Sequence, residues 1–162
     1  DMKQVSAYFN KDVLRKVNED EFYAAIPHLR NKVSDRAILR AFHFVDETER
    51  VVEAVKALRA DDLEAFFKTV IGSGESSWKL LQNLYVAHSD NQEMPLALEM
   101  SRRMLSGKGA WRIHGGGFAG TIQAFVPNEL VETYSKEMEK IFGIDTCLKL
   151  TIRPVGGVEI KN

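Results

Sequence analysis

The stretch GAWRIHGGGFAGTIQAF, residues 109–125, sets five glycines in one short window between two β-prone runs. Nothing else in the chain restricts the fold as much. Three consecutive glycines, Gly115 to Gly117, lose more backbone freedom on ordering than any other residues would, so they mark a loop. AWRIH and TIQAFV therefore read as strands over 110–114 and 121–126 on either side of it. A two-residue hairpin turns a chain with far less glycine. The surplus suits a loop that another backbone or a phosphate approaches very closely. A plain glycine-rich turn is the competing reading, and composition leaves both open.

Upstream of this window the apolar period is helical. Met2 to Phe9 reads as a helix end and Glu19 to Ala25 as a short helix. In Asp35 to Arg59, Ile38, Phe42, Val45, Val52 and Val55 recur at helical spacing, with Asp35 as the expected cap. Asp61 or Asp62 caps the next helix, which should run to about Ile71 and break at Gly72-Ser73-Gly74. Glu75 to Tyr85 and Glu93 to Leu105 complete the helical part. Downstream, Pro127 stops the second strand and Asn128 caps an amphipathic helix to Phe142, closed by Gly143. Thr146 to Arg153 reads as a third strand, Gly156-Gly157 as a turn and Val158 to Ile160 as a last short strand. Helices followed by a small antiparallel sheet give an α+β domain spanning 1–162.

The chain has 162 residues, 22 Lys and Arg against 23 Asp and Glu, and a net charge of -1. That balance carries no basic block for nucleic acid and no acidic tail. No apolar run approaches the roughly 18 residues of a membrane span, so no membrane partner is expected. Cys147 is the single cysteine, which reads as a buried thiol in a reducing compartment. The opening DMKQVSAYF shows no leader pattern and reads as the interior of a longer chain, so a cytoplasmic fragment is expected. His28 and His88 have no ligand spacing with other His, Cys, Asp or Glu, and no metal site is expected. Trp78 and Trp111 read as core or domain-interface anchors, and Met100 with Met104 as ordinary helix packing.

Gly115, Gly117 and Gly120 satisfy G-x-G-x-x-G. A dinucleotide fingerprint needs a helix straight after the glycines, and TIQAFV follows instead. A protein-kinase loop does lie between strands, but V-A-I-K, H-R-D and D-F-G are missing. His114-Gly115-Gly116-Gly117 matches an esterase oxyanion motif, yet no G-x-S-x-G accompanies it.

The window does resemble the third motif of the GHMP kinases, the family of galactokinase, homoserine kinase, mevalonate kinase and phosphomevalonate kinase. In galactokinases that motif reads approximately Gly-Ala-Arg-Met-Thr-Gly-Ala-Gly-Phe-Gly-Gly. This chain keeps Gly109, Ala110, Arg112, Gly115, Gly117, Phe118 and Gly120, with Trp111 as one added residue. It departs at His114, Gly116 and Ala119, where Thr, Ala and Gly are usual. Arg40-Ala41-Phe42-His43 with Glu47 and Arg50 is similar to the R-A-x-H-V-x-x-E-x-x-R segment of galactokinases. Ser73 to Ser77 stands where they have Ser-His-x-Ser, with Gly74 in place of His. The resemblance covers nearly all of the chain and corresponds to the C-terminal half of such an enzyme.

The resemblance implies a ferredoxin-like GHMP kinase C-terminal domain, its small antiparallel sheet covered by helices. It implies that the phosphate loop, the galactokinase signature and the catalytic Asp and Arg belong to an N-terminal domain outside this sequence. On that basis no catalytic residue is expected here. His114, Gly115, Gly116, Gly117, Phe118, Ala119 and Gly120 would complete the cleft against the N-terminal domain. The whole enzyme would use ATP and Mg to phosphorylate galactose at C1. Arg40, His43, Glu47 and Arg50 would form a domain-facing or interhelical polar network, with a solvated charged face as the alternative. His114 would donate to a phosphate or sugar oxygen, or serve only the structure. The fragment alone should be inactive, bind ATP weakly and self-associate. Substitution at Gly117 should leave this domain folded and damage the whole enzyme. The rivals are a GHMP kinase for another sugar or small alcohol, a non-catalytic galactose-sensing relative and a free-standing binding module.

Overall fold

The computed structural model describes residues 1–84, 87–118, 120–156 and 159. They fall into two compact units, 1–127 and 128–162.

The first unit is built on one long helix. The helices of this unit are α1 (Met2–Tyr8), α2 (Glu19–Leu29), α3 (Asp35–Arg59), α4 (Leu63–Ser76) and α5 (Glu93–Leu105). The apolar positions read at helical spacing on α3 do face a core. Ile38 and Ala41 pack with Val5 of α1 and with Phe22 and Leu29 of α2, and Phe42 lies at the edge of the cluster. The cap of α3 is Ser34, not Asp35: its hydroxyl accepts from the Ala37 N–H at 3.1 Å. Asp35 occupies the first turn, where a carboxylate faces the positive end of the helix, and pairs with Arg30 at 2.9 Å. Asp62 caps α4 by accepting from Ala65 N at 2.9 Å.

The expected break at Gly72-Ser73-Gly74 does not occur. α4 runs through it to Ser76 and continues as a π-helical turn, Ser77–Leu81. Each helical glycine costs about 1 kcal/mol relative to alanine, and packing outweighs that here. A β-carbon at Gly72 would lie 3.2 Å from Arg50 Nε, and one at Gly74 would lie 3.2 Å from the Arg112 Cα. The glycines thin one face of α4 so that Arg50 of α3 and the backbone of the first strand come up against it.

That strand, β1 (Ala110–Ile113), pairs antiparallel with β2 (Ile122–Phe125), Ala110 opposite Phe125 and Ile113 opposite Ile122. Ile113 packs into a second core with Leu84, Met94 and Leu98, flanked by Trp111 and Ile122. Phe125 meets Phe66 and Phe67 of α4 at ring-centroid distances of 5.5 and 6.1 Å. Helix α5 is thus held on the hairpin by its buried Met94–Leu98 face, and the result is an α+β fold with a small antiparallel sheet. Trp78, by contrast, is 39% exposed.

The second unit opens with a 3-10 turn, Asn128–Leu130, before helix α6 (Val131–Phe142). Asn128 therefore does not cap α6, which starts after Leu130 with no side-chain cap. Gly143 ends α6 at φ +106°, its N–H bonded to Glu139 O at 2.9 Å. The third strand expected over Thr146 to Arg153 is absent. Those residues have no regular structure, and Leu148, Leu150 and Ile152 are 82, 75 and 83% exposed. Alternation sets which side chains share a face, but a strand also needs a neighbour to complete its ladder. Of the Gly156-Gly157 turn and the Val158 to Ile160 strand, Gly157, Val158 and Ile160 lie outside the described residues. Cys147 is half-buried, and burial pushes its thiol pKa up, which keeps it protonated and unreactive.

Candidate functional site

The glycine loop stands on a closed base. Beyond the last strand pair, His114 N–H donates to Thr121 O at 3.1 Å. From there the backbone repeatedly enters the left-handed region: φ is +64° at Gly115, +76° at Gly117, +34° at Phe118 and +80° at Gly120. Gly116 stays outside it. Left-handed backbone at residues this close together is a component of anion-holding nests. His114, Gly115, Gly116 and Gly120 are exposed, and so is Phe118 at 58%. Ala119 lies outside the described residues.

Gly117 differs from its neighbours: it is buried, and its contact is Asn83. The π-helical turn ends at Gln82, whose backbone is left-handed (φ +55°) with its N–H on Ser77 O at 2.8 Å. That reversal sets Asn83 beside the loop. Asn83 O accepts from Phe118 N–H at 3.0 Å, and Asn83 Nδ2 donates to Gly116 O at 3.0 Å. A β-carbon at Gly117 would lie 2.1 Å from Asn83 O. The backbone that comes close to Gly117 is therefore this domain's own. A side chain at Gly117, as in Gly117→Val, would thus strain this domain itself and not only a contact with another one. Gly115, Gly116 and Gly120 have nothing within 4 Å of an added β-carbon, so the open part of the loop is there. Asn83 carries no sequence signal, because one asparagine after an apolar run has no pattern that separates it from a turn residue.

The second set of expected residues divides. His43 Nδ1 lies 3.0 Å from Ser76 Oγ, Ser73 Oγ donates to Glu47 at 2.5 Å, and Arg50 is ion-paired with Glu47. Three α3 side chains and two α4 serines thus form one half-buried polar seam. Burial is the chief cause that lowers the His43 pKa, ahead of the opposing pull of Glu47, so the neutral imidazole is favoured. Arg40 stands apart from this seam. Its guanidinium bonds Asp1 at 2.6 Å, and its buried Nε has no partner among the described residues.

Two shallow depressions on the surface, one along Val51, Val52 and Val55 and one around Pro27, Asn31 and Asp35, include no residue of the loop. Among the described residues no group of three or more His, Cys, Asp or Glu could hold a metal ion, and no helix is long and apolar enough to cross a membrane.

No family model matches the chain. Galactokinase of Glaesserella parasuis serovar 5 is 32% identical over 144 residues, covering 89% of this chain and 36% of that protein. Galactokinase of Haemophilus influenzae is 29% identical over 154 residues, covering 92% of this chain and 37% of its own length. Among solved structures, Lactococcus lactis galactokinase complexed with galactose shares the fold at a TM-score of 0.67 and 22% identity, over 88% of this chain and 35% of that one. The chain is similar, along almost its whole length, to the C-terminal part of galactokinases, and it spans about a third of the length of those relatives.

Proposed function

We propose that the chain, 1–162, is the C-terminal domain of a galactokinase-type phosphotransferase of the GHMP kinase family. The full protein would transfer the γ-phosphoryl group of ATP, with Mg, to the C1 hydroxyl of galactose in the cytoplasm. The observation that carries this reading is the agreement between the galactokinase similarity and the glycine loop, left-handed at Gly115, Gly117, Phe118 and Gly120 and open at Gly115, Gly116 and Gly120. Phosphoryl transfer is catalysed mostly by positioning and charge stabilisation. Backbone N–H donors held in a fixed direction need no reorganisation as charge develops. The exposed Gly115 and Gly116 fit a phosphate group, because no side chain bars its approach. Exposed His114 stands at the loop entrance and adds a donor for a phosphate or sugar oxygen. Among the described residues no group of three or more His, Cys, Asp or Glu could hold the magnesium.

The N-terminal domain of the same protein is the partner we propose. Val51, Val52, Val55 and Leu58 on α3 are exposed large hydrophobics and support a surface that a partner covers; alone, the chain would self-associate through it. The His43, Glu47 and Arg50 seam would be interhelical in role, fixing α4 on α3 through Ser73 and Ser76. The test is a coupled ATPase assay and a product analysis on the full-length protein with galactose, other hexoses and mevalonate. Galactose 1-phosphate formation is the expected result. Turnover of another alcohol alone would replace the substrate, and galactose binding without turnover would make the protein a sensor.

A further inference from the structure

We infer that Asn83 is the positioning residue of the glycine loop: it selects the orientation of the Gly116–Gly117 peptide and turns the Gly117 N–H toward the side where a phosphate would be held. This inference rests on the phosphoryl-transfer reading of the loop. Three consecutive glycines create a problem of direction. A peptide between two residues without Cβ atoms rotates at little steric cost, so a run of glycines does not by itself present its donors in one direction. Something outside the run must choose.

Asn83 makes the choice with its side-chain NH₂ and its backbone carbonyl. Its Nδ2 donates to Gly116 O at 3.0 Å. No peptide bond among the described residues is cis, and in a planar trans peptide the carbonyl and the N–H point in opposite directions. With the Gly116 carbonyl on Asn83, the Gly117 N–H faces away from it. Flipping this peptide would bring the Gly117 N–H against Nδ2, a donor against a donor. Turning the amide over instead would set Oδ1 against the Gly116 carbonyl, an acceptor against an acceptor. The next peptide is held as well, because Phe118 N–H donates to Asn83 O at 3.0 Å. Asn83 is only 3% exposed, so water does not compete for these bonds. Its Oδ1 is buried without a partner among the described residues, so the residue retains a buried polar atom in order to hold this one contact. Gly117 is glycine because it must lie on the Asn83 carbonyl, and Asn83 is asparagine because the loop needs a donor there.

The test uses the full-length protein as Asn83→Ala and Asn83→Leu, the second keeping the buried volume. Both are assayed well below their own melting temperatures, so that the folded fraction is complete. The expected result is a fall in kcat of at least tenfold, with KM for galactose changed less than twofold. A kcat within twofold of wild type, or a loss that only follows the unfolded fraction, overturns the inference. A second measurement needs no turnover. In ¹⁵N-glycine-labelled wild-type protein, inorganic triphosphate should move the Gly117 amide resonance, and an unmoved Gly117 amide overturns the inference. If the wild type phosphorylates nothing, the proposed function fails, while the triphosphate titration, repeated on Asn83→Ala, still decides the role of Asn83: the Gly117 shift should be lost in the variant, and an equal shift in both proteins overturns the inference.

Discussion

Replacing Gly117 by alanine adds one methyl group where the chain has no room for it. At φ +76° an L-residue costs about 1–2 kcal/mol over glycine. The new Cβ would start 2.1 Å from Asn83 O, a backbone atom that cannot rotate away. Relief requires the loop to lift from Asn83 and release its two hydrogen bonds, to Phe118 N and Gly116 O. At about 0.5–1.5 kcal/mol each, these bring the total to about 2–5 kcal/mol. For a chain of this size that is a drop in melting temperature of roughly 4–20 °C. The control is Gly116→Ala, one residue away in the same run. Its β-carbon meets nothing within 4 Å and its φ is not left-handed, so its stability should stay within about 0.5 kcal/mol of wild type. Thermal and urea unfolding of the three proteins, followed by circular dichroism, measure both effects. Equal stability of the two variants would refute the claim that Asn83 seats the loop.

Three further outcomes follow from other parts of the first unit. Gly74→Val should destabilise by about 1–3 kcal/mol, read by urea unfolding, because its side chain would press on the Arg112 backbone at 3.2 Å. Ile113→Ala, fully buried in the second core, should cost about 2–5 kcal/mol in the same assay. His43 should make stability depend on pH. Its folded pKa lies below the ordinary 6.5, so below that pH the unfolded chain binds the proton that the folded chain refuses. Its contribution is therefore present above pH 6.5 and is lost as pH falls from 6.5 toward the folded pKa. Melting temperatures across pH 5–8 should flatten in His43→Gln, and an unchanged slope would remove burial as the cause.

The legible parts of the fold were those in which one local signal decides the structure. The bounds of α3 came from apolar spacing, and those of β1 and β2 from the glycines that separate them. The strand boundaries shifted by one residue because His114 and Thr121 carry a single bond beyond the last strand pair. Elsewhere a second body decided. Gly72 and Gly74 look like helix breakers by propensity, but Arg50 and Arg112 occupy the space that their missing side chains leave. Thr146 to Arg153 has the alternation of a strand, and alternation says nothing about which neighbour would complete the ladder.

The candidate site follows the same division. Glycine content announced a close approach without naming what approaches. Two demands are superposed in one run. Gly117 answers to Asn83, 34 positions earlier in sequence and in direct contact. The Gly116 carbonyl is held by Asn83 Nδ2, while the Cα faces of Gly115 and Gly116 meet nothing within 4 Å of an added β-carbon. A single asparagine and a left-handed Gln82 fall below any periodic signal, so the residue that shapes the loop was invisible until the backbone was folded. The separation is useful chemically. A loop packed along its whole length would have no face left for a phosphate, and one open along its whole length would hold no orientation. Fixing the run at Gly117 and leaving Gly115 and Gly116 uncovered supplies a direction and an opening together.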